Sequence, residues 1–505
     1  MATTTPNIEY TRDEVTAMTP RWNLIRDCLS GQKAIKDRDL ATAAATTDTN
    51  RYLPKPNASD TSNDNLLRYQ QYIERAVFYN VTQRTHAGLI GQVFQKEPVL
   101  ELPTLLEPMR VDADGGGVGL LQQAKKALGF VLGHGRGGLL ADYPKTDVPA
   151  SRQDQIDGKL RPSVVLYDPW SIINWRTVTI GAQQVLSLVV ISETYSATDD
   201  GFEVKYADQY RVLSLEEGGI YRVGLWRMPD GGSGLIEEEY ANPTDAMGNN
   251  LRYIPFQFIG ALNNDPLVDL PPLYDLAVLN IAHYRNSADY EESSYMVGQP
   301  TPYAAGLTQA WVDKNFKKGV QLGSRAFVPL PTGGTCGLIQ AAPNSMPKEA
   351  MESKERQMVA LGAKLIEQRQ VQRTATEARQ EYATEISVLG TCAQNVASAY
   401  VNALKWCAAF VGAPEASTFT LAPDFDLGRL SAQDRAQLIA EWQAKAISDT
   451  EMRDALKNAG VATQEDEAWK SEVEAKLDYS PGAAGGGTVP PGTRTPPVEP
   501  APPEA

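Results

Sequence analysis

Residues 273–296 read LYDLAVLNIAHYRNSADYEESSYM and open a run to Val411 on which the reading of the whole chain turns. Free of Pro and Gly, they predict a helix, closed by Gly298, Pro300 and Pro302. An excursion follows over 301–343, with short strand-like runs at 320–322 and 326–330 and turn residues Gly319, Pro331, Gly333 and Gly334. A second helix is expected from near Ser345, with Pro347 in its first turn and Met351, Met358 and Leu365 recurring every seven residues around Leu361. Thr374-Ala375-Thr376-Glu377 then has the form of a capping box and predicts a third helix to Val411, roughly 55 Å long at about 1.5 Å per residue.

That third helix is rich in small residues. Ala378, Tyr382, Ile386, Leu389, Ala393, Val396, Tyr400, Leu404 and Phe410 mark one side, while Ala375, Ala383, Ala397, Ala399, Ala403, Ala408 and Ala409 cover the rest. Neighbours can approach such a helix closely on more than one side. The same pattern also suits the central core helix of a monomer.

The 505 residues suffice for two to four domains, and 42% apolar with 22% charged residues is an ordinary globular composition. No run of eighteen apolar residues exists, so no transmembrane helix and no membrane partner is expected. The start, Met-Ala-Thr-Thr-Thr-Pro, lacks the basic and apolar segments of a secretory signal. Cys28, Cys336, Cys392 and Cys407 form no CxxC pair and read as reduced thiols. A net charge of −15 argues against tight, extensive nucleic-acid binding, which needs Lys and Arg to displace counterions. It does not argue against a conduit, where like charge prevents sticking.

Nearer the start, Thr11-Arg12-Asp13-Glu14 has capping-box form and opens a helix to about Leu29, with Trp22, Ile25 and Leu29 apolar and Gly31 as its end. Residues 65–95 predict one long helical stretch interrupted near Gly88 or Gly91, closed by Pro98. Gly115-Gly116-Gly117 precedes a helix over 120–132. The texture then changes: 139–141, 163–167, 172–175, 185–192, 202–215, 219–228 and 251–259 are β-branched or aromatic runs between turn signals, an antiparallel meander. Helices flanking a β-rich middle make the class α+β. After Pro414 a short linker leads to helices over 430–458, with Ser431 and Ser448/Asp449 as caps, and over 465–477. The Gly/Pro/Thr-rich residues 480–505 are expected to be disordered.

Candidate chemistry is sparse. Gly133-His134-Gly135-Arg136-Gly137-Gly138 satisfies G-x-G-x-x-G, but a helix precedes it and an apolar strand follows, the reverse of a dinucleotide-binding unit. There is no P-loop, and His86, His134 and His283 lie far apart. No catalytic, cofactor or metal residue is assigned. Asp289, Glu291 and Glu292 form an acidic cluster late in the first helix, and Lys314-Asn315-Phe316-Lys317-Lys318 is a compact basic patch with an aromatic inside it. Residues 367–373 read EQRQVQR, a polar stretch between two helices.

Taken in order, several motifs resemble the portal proteins of tailed bacteriophages, within them a group long known only as a domain of unknown function. They include Tyr52-Leu53-Pro54, Asn80-Val81-Thr82-Gln83-Arg84-Thr85, Gly91-Gln92-Val93-Phe94-Gln95-Lys96-Glu97-Pro98, Gly135-Arg136-Gly137-Gly138-Leu139-Leu140-Ala141-Asp142-Tyr143-Pro144 and Ile172-Ile173-Asn174-Trp175-Arg176. They continue with Leu279-Asn280-Ile281-Ala282-His283-Tyr284-Arg285-Asn286-Ser287-Ala288-Asp289, Gly298-Gln299-Pro300-Thr301 and Thr374-Ala375-Thr376-Glu377-Ala378. The matches cover most of residues 50–400.

The resemblance implies a homo-oligomeric ring, usually a dodecamer, at one capsid vertex of the virion, assembled in the host cytoplasm. Residues 1–270 would be the wing, 271–297 and 346–366 the stem, 298–345 the clip, 367–373 a tunnel loop, 374–425 the long wing helix, and 426–479 a helical crown before the tail. Gln368, Arg369, Gln370, Gln372 and Arg373 would face DNA, and Asp289, Glu291 and Glu292 would line the channel. Lys314, Phe316, Lys317 and Lys318 would dock the packaging motor or adaptor. The implied partners are further copies, the terminase large subunit, major capsid and scaffolding proteins, a head-tail adaptor and passing double-stranded DNA. Another capsid-associated adaptor or head-completion protein stays open as a second reading, and a nucleotide-binding enzyme using 133–138 as a third.

Overall fold

The first helix, α1 (Asp13–Ser30), buries Trp22 completely, and the indole Nε1–H donates to the His134 carbonyl at 2.8 Å. A buried N–H without such an acceptor would be costly, so this one bond locates α1 against the chain more than a hundred residues on. Gly31 ends the helix at φ 92°, as expected. The expected Thr11–Glu14 capping box does not form. Arg12 occupies the cap position, its guanidinium bonds Glu14 at 2.6 Å and lies 4.5 Å from the Trp175 ring, and its amide N–H donates to Ile173. Tertiary contacts with the β-rich region displace the local cap.

The computed structural model describes residues 7–37, 50–144, 160–216, 218–229, 232, 234–315, 330–340, 342, 344–365, 387–421, 438, 439, 442, 448 and 451–453. The chain divides into two units, 1–425 and 426–505. In the first, α2 (Gln32–Asp37), α3 (Asn63–Arg75) and α4 (Val81–Val93) follow α1. The expected break at Gly88 or Gly91 is instead at 76–80; both glycines lie inside α4 with open space where a Cβ would go. The overlooked signal is N-V-T-Q: Asn80 Oδ1 accepts from the Gln83 N–H at 3.0 Å and caps α4.

Helix α5 (Leu120–His134) and strand β2 (Arg136–Asp142) meet at Gly135, which adopts a left-handed φ of 71° as a helix C-cap. A Cβ on Gly135 would come 2.6 Å from the Asp269 carbonyl oxygen, and one on Gly138 would strike Phe256 and Ile172. Protein atoms therefore fill the space beside these glycines, and the G-x-G-x-x-G stretch is a helix-to-strand turn.

The expected single meander is two sheets. β2 is flanked by β3 (Ser163–Tyr167) and β9 (Phe256–Gly260), both antiparallel. The second sheet runs in chain order through β4 (Ile172–Ile180), β5 (Gln183–Asp199), β6 (Val204–Leu215), β7 (Tyr221–Arg227) and β8 (Ile236–Ala241). β8 reads IEEEYA and has no apolar alternation, so it escaped the sequence reading. Two further strands of three residues, β1 (Val99–Glu101) and β12 (Thr418–Thr420), pair across the chain, the second in what reads as a linker.

Between β9 and β12 come α6 (Tyr274–Gly298), β10 (Thr301–Ala305), α7 (Gln309–Asn315), β11 (Thr335–Ile339), α8 (Met346–Lys364) and α9 (Val388–Val411). The described strands of the excursion are β10 and β11; the expected runs at 320–322 and 326–330 lie essentially outside the described residues. The expected capping box at Thr374 and the stripe through Ile386 also lie outside them. Ser387, in extended conformation, caps α9 through its hydroxyl on the Gly390 N–H, so no unbroken helix runs from Thr374 to Val411. The helix α9 spans about 36 Å. Ala393, Ala399, Ala403 and Ala408 are fully buried, and α9 packs on α5, β2, β3, β9 and β12. The small residues serve close packing inside this chain, the core-helix alternative.

In the second unit, Ser448 Oγ accepts from the Glu451 N–H at 3.2 Å while Glu451 accepts from the Ser448 N–H at 2.8 Å, a reciprocal cap at the expected Ser448. The remaining expectations for 426–505 fall almost wholly outside the described residues. Among the described residues, no helix is long and apolar enough to cross a membrane.

Two predictions follow from this packing. Gly138→Ala should lower stability by about 1–3 kcal/mol, whereas Gly91→Ala should raise it by about 0.5–1 kcal/mol, both read by chemical denaturation. Burial holds the His134 imidazole, 4.7 Å from Trp170, at about 3, helped by nearby His86 and Arg26. The unfolded chain, with an ordinary value of about 6.5, binds the proton first, so stability should fall as pH drops from about 6.5 towards 3. His134→Met should flatten that slope in melts across pH.

Candidate assembly and channel surface

The resemblance-bearing segment 279–289 lies on α6, whose first half is buried along Leu276, Ala277, Asn280, Ile281, His283, Tyr284, Ser287 and Ala288. Asn280, His283 and Ser287 in that set each have a defined partner. Asn280 Oδ1 accepts from the Val81 and Thr82 N–H groups at 3.1 Å and from the Thr82 hydroxyl at 2.9 Å, while its Nδ2 donates to the Tyr79 carbonyl at 2.8 Å. Two helical turns on, Ser287 Oγ accepts from the Val77 N–H at 2.9 Å. Together these two side chains receive the Val77 N–H of the link between α3 and α4 and the first two N–H groups of α4.

The other side of α6 receives α8. His283 Nε2 lies 3.2 Å from Glu355 Oε1, and Lys354 Nζ donates to Asn286 Oδ1 at 2.7 Å. These contacts set the register of the two-helix unit, with Met358 as the buried apolar residue of α8. Arg285 Nε donates to the Tyr52 carbonyl at 2.8 Å, tying the Y-L-P motif to the same helix. The sequence motif is thus a junction joining the α3–α4 link, the 50–53 segment and α8. The recurring polar positions on an otherwise apolar helix face were its visible signal.

Beyond Ala288 the surface of α6 changes. Asp289 accepts from the Tyr72 hydroxyl at 2.6 Å, and burial together with this carboxylate raises the Tyr72 phenol well above its usual range. Glu292 pairs with Arg75, whose guanidinium also lies 4.3 Å from the Tyr295 ring. Glu291 is half-buried. Two of the three carboxylates of the acidic cluster therefore hold α6 to α3 within the chain. Tyr295 and Met296 are exposed, as are Met346 and Val359 on α8.

The ribbon of β10 and β11 and the short α7 lie between these helices in sequence. Almost every ribbon residue is exposed on both faces, including Tyr303, Leu338 and Ile339. Lys314 is exposed on α7, while Phe316, Lys317 and Lys318 lie outside the described residues. So do Gln368, Arg369, Gln370, Gln372 and Arg373. The flanks of that second segment are described: the Leu389 N–H donates to the Leu365 carbonyl at 3.1 Å, so the chain leaves α8 and re-enters α9 at neighbouring points.

Replacing Asn280 by Ala would strand buried donors on Val81 and Thr82. The expected loss is about 2–4 kcal/mol by urea denaturation, against less than about 1 kcal/mol for Lys354→Ala at the partly exposed end of the junction.

Comparison with known proteins gives the following. Residues 272–411 match the model of a family described as a domain of unknown function (DUF4055). No curated protein matches. Among solved structures, the chain is similar to one from the virion of a native gene transfer agent particle, at 16% identity and a TM-score of 0.37, over 76% of this chain and 90% of that one. It is also similar to a chain from the neck of an empty particle of the same kind, at 16% identity and a TM-score of 0.38, over 78% and 93%.

Proposed function

We propose that this chain is a structural component of a phage-like head and neck, and within that class a portal protein. Copies of it would form a ring at a capsid vertex through which DNA is packaged and ejected. The observation that carries this reading is the α6–α8 pair: anchored at one end by the Asn280 junction, it continues into a stretch with Tyr295, Met296 and Met346 exposed. It also carries the two-stranded ribbon with Tyr303, Leu338 and Ile339 uncovered. An isolated ribbon is marginally stable in water, and copies flanking it on both sides would cover these side chains. A closed ring needs such heterologous contacts.

On this reading α6 and α8 are the stem, the β10–α7–β11 region is the clip, and α9 is the buried shaft of the wing. The pore wall is then built by α6 and α8, without α9. Residues 368–373 would approach the duplex, Glu291 would lend the channel acidic character while Asp289 and Glu292 brace α6 on α3, and Lys314 with 316–318 would meet the terminase or a head-tail adaptor. The match of 272–411 to a single family model supports treating these elements as one functional block.

Light scattering and negative-stain imaging of the purified full chain should give a large ring with an axial opening wide enough for a duplex. A folded monomer would overturn the portal reading. A ring lacking a helical projection would favour the adaptor reading.

A further inference from the structure

The five-stranded sheet is staggered, and its longest hairpin outruns its neighbours. β4 pairs with β5 only as far as Ile191, and β7 pairs with β6 only from Gln209. Between these points residues 193–208, ETYSATDDGFEVKYAD, have strand partners only within the β5–β6 hairpin among the described residues, forming an arm roughly 20 Å long with both outer edges open. The base is clamped: Glu193 accepts from Arg211 Nε and Gln209 Nε2, each at 2.8 Å.

The tip is a turn held by side-chain carboxylates. Asp199 accepts from the Gly201 N–H at 2.8 Å, and Asp200 accepts from the Phe202 and Glu203 N–H groups at 2.9 and 2.6 Å. Gly201, at φ 87°, supplies the left-handed turn. This arrangement presents Phe202 with its side chain fully exposed, beside exposed Val204 and Tyr206. Asp199, Asp200, Glu203 and Asp208 outweigh Lys205, so the tip is an aromatic ring set in negative charge.

The complement of that surface occurs on the same chain. Lys125 Nζ lies 5.3 Å from the Phe94 ring centre and Lys126 Nζ 5.7 Å from that of Phe130, with exposed Lys96 two residues past Phe94. Aromatic surface under ammonium groups suits an incoming ring flanked by carboxylates. Gly88 and Gly91 on the neighbouring α4 have open space at their Cβ positions and allow close approach. An acidic projection and a basic receiving face on one chain are the two unlike surfaces that a heterologous contact requires.

We propose that the 193–208 arm reaches a second copy of this chain, seating Phe202 against Phe94 and Phe130 with Asp200 and Glu203 meeting Lys125 and Lys126. This rests on the ring reading above and assigns one of its subunit contacts. The test uses the full chain, with mass by light scattering and melting temperature for each variant. Phe202→Asp and the pair Lys125→Glu/Lys126→Glu should each cut the ring fraction about tenfold or more at unchanged melting temperature. Combining Lys125→Glu/Lys126→Glu with Glu203→Lys, which leaves the Asp200 turn intact, should restore assembly. Rings that survive Phe202→Asp, or a charge swap that fails to restore them, would overturn the arm contact while leaving the ring reading intact. Loss of duplex-DNA retention with unchanged assembly in Lys125→Glu/Lys126→Glu would assign the lysine face to nucleic acid and overturn it equally. A wild-type chain that stays monomeric removes both.

Discussion

A buried carboxamide with every partner in place is the constraint on which this chain's arrangement depends. Asn280 is completely enclosed, and its oxygen receives three donors from the start of α4 while its nitrogen reaches Tyr79. Backbone N–H groups at a helix start have no intrahelical acceptor and must find one elsewhere. Here the acceptor comes from a helix some two hundred residues later. The α3–α4 break, the entry of α6 into the body and the alignment of α8 along α6 are consequences of that one satisfied group and its neighbours Ser287, His283 and Asn286.

Where structure was determined by neighbours in sequence, it was legible. The helix from Leu273, the glycine stop at Gly31, the proline at the start of α8, the reciprocal cap at Ser448 and most of the β runs follow from propensity and turn chemistry. What escaped was determined at long range. Arg12 takes the cap position through the Trp175 ring and carbonyl and the Ile173 carbonyl. β1 and β12 are only three residues each and gain meaning only as partners. β8, with three consecutive glutamates, is held by Arg222 and Arg227 on β7 and has no buried face of its own. At the candidate site, the 279–289 motif was conspicuous as sequence, yet its work as a junction required knowing what lay opposite each polar side chain.

Alanine shows how one pattern admits two structures. On α9 the small side chains let α5 and the three-stranded sheet come close, and Tyr400 extends from that packing to Gln123 Oε1 at 3.1 Å. Nothing in the spacing of alanines says whether the close neighbour belongs to the same chain or to another. Uncovered apolar groups lie instead on other elements, among them the far half of α6, α8, the ribbon and the β5–β6 arm.

The bond from the Leu389 amide to the Leu365 carbonyl has a mechanical meaning. It pins the C-cap of α8 to the first turn of α9, so the chain between them begins and ends at one place. It also brings any pull on the inserted chain to a single place, shared between α8 on one side and the buried shaft of α9 on the other.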